Sequence, residues 1–323
     1  MARVFVTRAV FNSAHQLLTD AIGPDQIDTY DKDQIIPRHE FLNRIHGAEA
    51  VLTMLTENWD GEAMDAAGPQ LKVIANCAVG YNNIDTDAAT ERGIKVTNTP
   101  DVLTESTADL TWALILGAGR RIGEAERHLR AKKWKNWTPT FMMGSEIHGK
   151  TLGIFGMGRI GQAVARRAQG FNMRVIYNSR NRVDAALEQS LDASFVDFAG
   201  LLAESDVLSI HCPLSDDTKH TFGQAEFRAM KSTSVLVNTS RGAVIKESAL
   251  AEALQIGEIA FAGLDVFENE PKIYPELLNC ENALLLPHIG SSTLDTRTAM
   301  AELAAKNIVA HFEGAPLLTC VND

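Results

Sequence analysis

Four segments of the chain combine residue types suited to a small carbonyl acid. In Val237-Asn238-Thr239-Ser240-Arg241-Gly242 an arginine directly follows an apolar run. A guanidinium there costs desolvation unless it meets an anion. Its planar fork suits both the carboxylate and the ketone oxygen of a 2-keto acid. Leu264-Asp265-Val266-Phe267-Glu268-Asn269-Glu270-Pro271 carries Asp265, expected inside a strand over Gly263–Val266, and Glu270, which Pro271 biases to extended backbone. Leu286-Pro287-His288-Ile289-Gly290-Ser291-Ser292 sets His288 between an apolar strand and a glycine turn. The chain has nine histidines, so His288 alone reads as structural. Bonded to a buried glutamate, a histidine has a fixed tautomer and a favoured protonated form, which suits a general acid. Asn76-Cys77-Ala78-Val79-Gly80-Tyr81 also follows an apolar run, and its glycine exposes backbone N–H groups that suit a carboxylate. Alone it reads as a plain β-α loop. Anchor, polarising cation and proton donor together point to reduction of a 2-keto acid, with a nicotinamide held against the reacting carbon.

A dinucleotide has its own signal. Thr151-Leu152-Gly153-Ile154-Phe155-Gly156-Met157-Gly158-Arg159-Ile160-Gly161 places G-x-G-x-x-G after an apolar strand and at the start of a helix. Gly156 permits the tight turn, Gly158 lets backbone approach a pyrophosphate, and Gly161 allows the helix to pack on the strand. The helix N-terminus presents N–H groups and partial positive charge to phosphate. The bland alternative is an ordinary β-α turn. At the end of the next strand, Tyr177-Asn178-Ser179-Arg180-Asn181-Arg182 has no acid for a ribose 2′-hydroxyl. It offers Asn178 and Ser179 as small polar donors, and Arg180 and Arg182 as cations. A guanidinium binds a 2′-phosphate that a carboxylate repels. NADP is therefore the preferred cofactor, with NAD use possible. An exposed basic turn without ligand is the alternative.

The elements that must position these residues alternate along the chain. Strands are expected at Val4–Thr7, Val51–Met54, Leu71–Asn76 and Ile94–Thr97, then at Thr151–Phe155, Arg174–Tyr177, Val207–Ile210, Val235–Asn238, Gly263–Val266 and Ala283–Leu286. Helices are expected between them, including Phe41–Ile45, Thr86–Arg92, Ile160–Gln169, Phe198–Glu204 and Lys246–Ile256. One long helix runs from near Thr104 towards Lys132, Trp134–Ser145 reads as a loop, and Thr293–Phe312 is a final amphipathic helix. Such alternation gives an α/β fold with parallel sheets.

A chain of 323 residues suggests two domains of roughly 100–200 residues each. Its 45% hydrophobic and 22% charged content is that of a globular protein. A net charge of −11 disfavours nucleic acid as a partner. Cys77, Cys212, Cys280 and Cys320 lie far apart without metal-ligand spacing, so reduced thiols and no metal are expected. The run Trp112–Ala118 is too short to cross about 30 Å of hydrocarbon, and no secretory signal is apparent. A cytoplasmic protein without membrane partners is expected.

Together the glycine loop, V-N-T-S-R-G, G-L-D-V-F-E-N-E-P and P-H-I-G-S resemble the D-isomer-specific 2-hydroxyacid dehydrogenases. Their order and spacing match from about Val51 to the final helix. Val51–Glu57 and Trp134–Pro139 are similar to the glyoxylate/hydroxypyruvate reductase branch. The resemblance implies two Rossmann-like doubly wound parallel-sheet domains with an active-site cleft between them. Residues 1–98 plus 289–323 would form a discontinuous flavodoxin-like substrate-binding domain, and 99–288 the dinucleotide-binding domain. It further implies that Arg241 binds and polarises substrate, that His288 donates the proton, and that Glu270 holds and tunes it. Val79 and Gly80 would hold the carboxylate, with Leu55 and Trp137 shaping the pocket. Gly158, Arg159 and Ile160 would meet the pyrophosphate, Pro213 the adenosine, Thr239 the nicotinamide and Asp265 its carboxamide, with Ser291 also at the cofactor. Trp137 would reach a partner subunit in a homodimer, its alternative being a residue buried on the dimer face. D-lactate or D-3-phosphoglycerate dehydrogenases using NAD share these motifs, as do nucleotide-sensing corepressors.

Overall fold

The computed structural model describes residues 3–322. Among these the chain forms two compact units. One holds the chain up to Leu103 and again from Ser291; the other is Thr104–Gly290. Breaks anticipated after residues 98 and 288 fall slightly before these. Asn98 and Thr99 remain tied into the first unit through the Thr319 and Ala78 carbonyls. Ile289 and Gly290 remain tied into the second through Asp265.

The first unit is a parallel sheet of β1 (Val4–Val6), β2 (Ile27–Thr29), β3 (Ala50–Thr53), β4 (Val73–Asn76) and β5 (Lys95–Thr97), in the order β2-β1-β3-β4-β5. The inner strands are apolar and buried, as a sheet covered on both faces requires. The sequence reading missed β2, a half-buried Ile-Asp-Thr edge strand without an apolar pattern. The helix Leu294–Phe312 returns to this sheet, capped by Thr293, whose Oγ1 accepts the Thr296 N–H at 3.2 Å. Small residues make its contact: Ala301, Ala304 and Ala305, with Ile308, join Val4, Leu52 and Val73 in the core. Leu303 and Val309, on the same helix, are only partly covered.

The second unit contains β6 (Thr151–Phe155), β7 (Arg174–Asn178), β8 (Ala193–Phe195), β9 (Val207–Ile210), β10 (Val235–Asn238), β11 (Phe261–Leu264) and β12 (Ala283–Leu285). All pairings are parallel, in the order β12-β11-β10-β9-β6-β7-β8. The first six strands in sequence follow the doubly wound dinucleotide-binding order, with its reversal between β6 and β9. Register sets the site: Asn238, Leu264 and Leu285 stand in one row across β10, β11 and β12. The residues just beyond that row therefore emerge at one edge.

Two expectations need correction. The long helix is broken into Thr104–Gly119 and Ile122–Arg130, with Arg121 left-handed at φ 55°. The returning loop takes the Gly119 carbonyl through the Ser145 N–H at 2.7 Å, so the helix cannot continue. Strand β11 ends at Leu264, two residues earlier than expected, leaving Asp265 outside it. Among the described residues no helix is long and apolar enough to cross a membrane.

Candidate active site

Beyond β10, β11 and β12 the backbone gathers Arg241, Asp265, Glu270 and His288. Asp265 is the deepest, only 1% exposed. Its Oδ1 accepts the Ile289 N–H at 2.8 Å and its Oδ2 the Gly290 N–H at 2.7 Å. Its backbone carbonyl accepts the His288 N–H at 2.9 Å. These bonds hold the turn in which His288 adopts φ 54°, uncommon for a residue with a side chain. Burial pushes the Asp265 carboxyl up, opposed by the Ile289 N–H, the His288 charge and the Gly290 N–H.

From this turn His288 Nδ1 reaches Glu270 Oε2 at 2.7 Å. The other oxygen, Oε1, accepts the Phe267 N–H at 2.9 Å. Burial acts to raise the Glu270 carboxyl, but the His288 bond and charge, the Phe267 N–H and Arg241 outweigh it and hold the group below its ordinary value. With Nδ1 facing a carboxylate, Nε2 remains to exchange a proton with a ligand.

Arg241 comes from the loop after β10. Asn238 fixes this loop, its Nδ2 donating to the Arg241 carbonyl at 2.9 Å and its Oδ1 accepting the Ser240 N–H at 2.9 Å. Next in the chain, Gly242 lies so close to the Phe267 carbonyl that a Cβ would overlap it. That approach brings Arg241 beside the loop that carries Glu270. Burial disfavours the Arg241 charge and Glu270 favours it, with burial the larger. Thr239 is buried with Oγ1 2.9 Å from Thr111 Oγ1, which also donates to the Thr107 carbonyl. The sequence reading did not single out Thr111, whose place on an apolar helix gave no signal.

The glycine loop follows β6. Gly156 has φ 100°, and a Cβ there would meet the His211 carbonyl and the Cys212 amide nitrogen. A Cβ on Gly161 would overlap the Gly156 carbonyl, whereas nothing lies within 4 Å of one on Gly158. The helix Arg159–Ala168 opens here without a side-chain cap or an acid in its first turn among the described residues. A tight turn, an open Cβ position and an uncapped helix start form a cradle that fits a pyrophosphate.

The turn after β7 is more committed than its sequence suggests. Asn178 Nδ2 donates to the Val196 carbonyl at 2.8 Å, and Ser179 Oγ to the Asn181 carbonyl at 2.6 Å, so both expected donors are engaged within the chain. Arg182 is gripped by Glu188 through Nε and Nη2, each at 2.8 Å. Arg182 with the Tyr177 hydroxyl lowers Glu188 to about 2. Arg180 is exposed and pairs with no carboxylate among the described residues. Pro213, after β9, is exposed, and its carbonyl accepts the Thr218 hydroxyl at 2.7 Å.

In the first unit, the Val79 carbonyl accepts Asn98 Nδ2 at 2.8 Å and the Gly80 carbonyl accepts Asn76 Nδ2 at 3.0 Å. The Val79 and Gly80 amides have no acceptor among the described residues. Leu55, 39% exposed, stands on the loop after β3. Ser291 opens this unit's C-terminal segment. In the second unit Trp137 is 76% exposed on an irregular loop.

A seven-stranded dinucleotide-binding sheet with an arginine and a histidine–glutamate pair at its edge defines an oxidoreductase that interconverts an alcohol and a carbonyl with a nicotinamide dinucleotide. The family described as D-isomer specific 2-hydroxyacid dehydrogenase, NAD binding domain, matches residues 112–290. A glyoxylate reductase of Thermococcus gammatolerans is 46% identical over 324 residues, covering 99% of this chain and 96% of that protein. The crystal structure of a glyoxylate reductase from Paecilomyes thermophila is 37% identical with a TM-score of 0.89, covering 99% of this chain and 98% of that one. An NADPH-dependent glyoxylate/hydroxypyruvate reductase from Sinorhizobium meliloti, solved with NADP and malonate, is 32% identical with a TM-score of 0.83, covering 99% and 96%. The chain belongs to the D-isomer-specific 2-hydroxyacid dehydrogenases, in their glyoxylate reductase branch.

The two glycines separate packing from ligand space. Gly161→Ala is expected to destabilise the protein by about 1–3 kcal/mol through overpacking, measured by urea unfolding. Gly158→Ala is expected to leave the unfolding curve in place and to lower dinucleotide affinity; an unchanged affinity would contradict the cradle. Glu270 gives a pH signature. Because its folded value is depressed, its stabilising contribution is present above the ordinary carboxylate range of about 4.3 and lost as pH falls through the folded value. The stability difference between wild type and Glu270→Gln should therefore shrink on acidification, and a pH-independent difference would contradict the pairing.

Proposed function

We propose that the protein reduces glyoxylate to glycolate, and hydroxypyruvate to D-glycerate, with NADPH preferred over NADH. The observation that carries this reading is the His288–Glu270 pair beside Arg241 at one sheet edge. The cradle of Gly156, Gly158, Arg159, Ile160 and Gly161 would hold the dinucleotide, which would supply the hydride. Arg241 holds the substrate carboxylate and draws electron density towards the ketone oxygen, where negative charge develops. The Val79 and Gly80 amides hold the carboxylate. His288 delivers the proton to the ketone oxygen from Nε2, while Glu270 on Nδ1 fixes the tautomer and stabilises the charged ring. Asp265, with both oxygens occupied by the turn that carries His288, orients it, and Thr239, Pro213 and Ser291 line the cofactor.

The NADPH preference rests on Arg180, the cation of its turn without a carboxylate partner among the described residues, and on the absence of an acid that would repel a 2′-phosphate. The NADPH-dependent enzyme from Sinorhizobium meliloti supports it by relation. A homodimer is proposed on the exposed apolar side chains of Ile122, Leu129, Trp134, Trp137, Phe141 and Met143, concentrated in one stretch of chain.

Variants test the assignment. His288→Ala or Arg241→Ala should lower turnover of glyoxylate by about 10²-fold or more, with NADPH binding retained in a fluorescence titration. Undiminished turnover in either variant would remove that residue from the mechanism. Arg180→Ala should weaken NADPH much more than NADH, and Arg182→Ala should not discriminate between them. Equal weakening of both cofactors by Arg180→Ala would defeat the 2′-phosphate assignment.

A further inference from the structure

Glu247 begins the helix Glu247–Ile256 and is a buried carboxylate, 5% exposed, that no reaction step uses. It reaches across to the loop after β11. Its Oε1 accepts the Glu268 N–H at 2.6 Å and its Oε2 accepts the Tyr274 N–H at 3.1 Å. Its own backbone N–H donates to Glu268 Oε1 at 2.8 Å. The Glu268 carboxylate lies 3.3 Å from His220 Nε2. Between the two anchored amides the chain doubles back, with the Lys272 N–H donating to the Asn269 carbonyl at 2.9 Å. Glu270 and Pro271 stand between those two residues.

One carboxylate thus holds both ends of the segment that presents Glu270. Burying it has a cost: burial, and the like charges of Glu268 and Glu270, push the Glu247 carboxyl up, while the Glu268 and Tyr274 N–H groups pull it down. An exposed loop has no need of such a group at its root. A loop that must deliver one carboxylate oxygen to one ring nitrogen within about 0.5 Å does.

We propose that Glu247 is a positioning residue, which keeps Glu270 Oε2 on His288 Nδ1 by holding the backbone at Glu268 and Tyr274. The inference rests on the proton-donor role given above to His288 with Glu270. The charged groups around that pair are Arg241 from the loop after β10, Asp265 just beyond β11, and Glu268 with Glu247 behind the loop, His220 lying against Glu268.

The test uses Glu247→Gln, which keeps the shape but offers one of the two N–H groups a donor in place of an acceptor. A loosened Glu270 should lower kcat/KM for glyoxylate about tenfold to a hundredfold, with NADPH affinity unchanged. The alkaline limb of the kcat/KM profile, which reports the His288–Glu270 pair as a unit, should move to lower pH. The downfield proton resonance of a hydrogen-bonded histidine Nδ1–H, present in the wild type, should weaken or move upfield. Tyr274→Pro is the second variant, for use above all if Glu247→Gln fails to fold. The Tyr274 φ of −58° suits proline, so this change deletes one anchoring N–H without opposing the backbone. It should move both readouts in the same direction. A folded variant with an unmoved limb and an intact resonance, whatever its melting temperature, would overturn the proposal. The resonance needs no substrate, so it decides the role of Glu247 even if the wild type reduces none of the keto acids, an outcome that would defeat the proposed function instead.

Discussion

A carboxylate as deeply buried as Asp265 must find donors, and the way it finds them shapes the site. It stands one residue beyond β11, where the parallel ladder ends and backbone N–H groups become available. It takes two of them, from Ile289 and Gly290, and gives its own carbonyl to the His288 amide. The chain after β12 is thereby drawn over the end of β11 and bent into the left-handed turn at His288. Without those bonds nothing in the local sequence would hold a histidine in that conformation. His288 is thus placed by satisfying a buried charge, and the cost of burying that charge is offset by the N–H groups of Ile289 and Gly290 that it accepts.

The same logic recurs around it. Gly242 lets the Arg241 loop approach the Phe267 carbonyl, Asn238 closes the Arg241 loop on itself, and Glu247 fastens the Glu270 loop at its root. Arg241, Glu270 and His288 therefore each stand on a short segment whose backbone is fixed by a buried polar group. The turn after β7 follows the opposite design. There Glu188 neutralises Arg182 and leaves Arg180 extended into solvent, where ionic strength and ligand charge both act on it.

Much of this was legible in the sequence because parallel strands carry strong apolar signals and their ends carry polar ones. Thr151–Phe155, Val207–Ile210 and Val235–Asn238 read correctly to the residue, and the functional motifs follow such strands. Elements without apolar contrast were missed, such as the Ile27–Thr29 edge strand. The break at Arg121 was invisible because its cause is a tertiary bond, from Ser145 to the Gly119 carbonyl. Pairings were hidden for the same reason: Arg180 and Arg182 look alike in sequence, and only the fold brings Glu188 to one of them. Glu247 was not singled out in the sequence, because its partners, the Glu268 and Tyr274 amides, come from a later loop that only the fold brings to it.

The central claim is that Arg241 and the His288–Glu270 pair serve reduction of a small 2-keto acid by NADPH. Its most direct test is the rate of NADPH and NADH consumption by the wild-type protein with glyoxylate, hydroxypyruvate, pyruvate and phenylpyruvate under matched conditions. The account predicts fastest consumption of NADPH with glyoxylate and hydroxypyruvate, the latter yielding D-glycerate. Turnover confined to NADH or to phenylpyruvate, or no turnover with any pair, would contradict it.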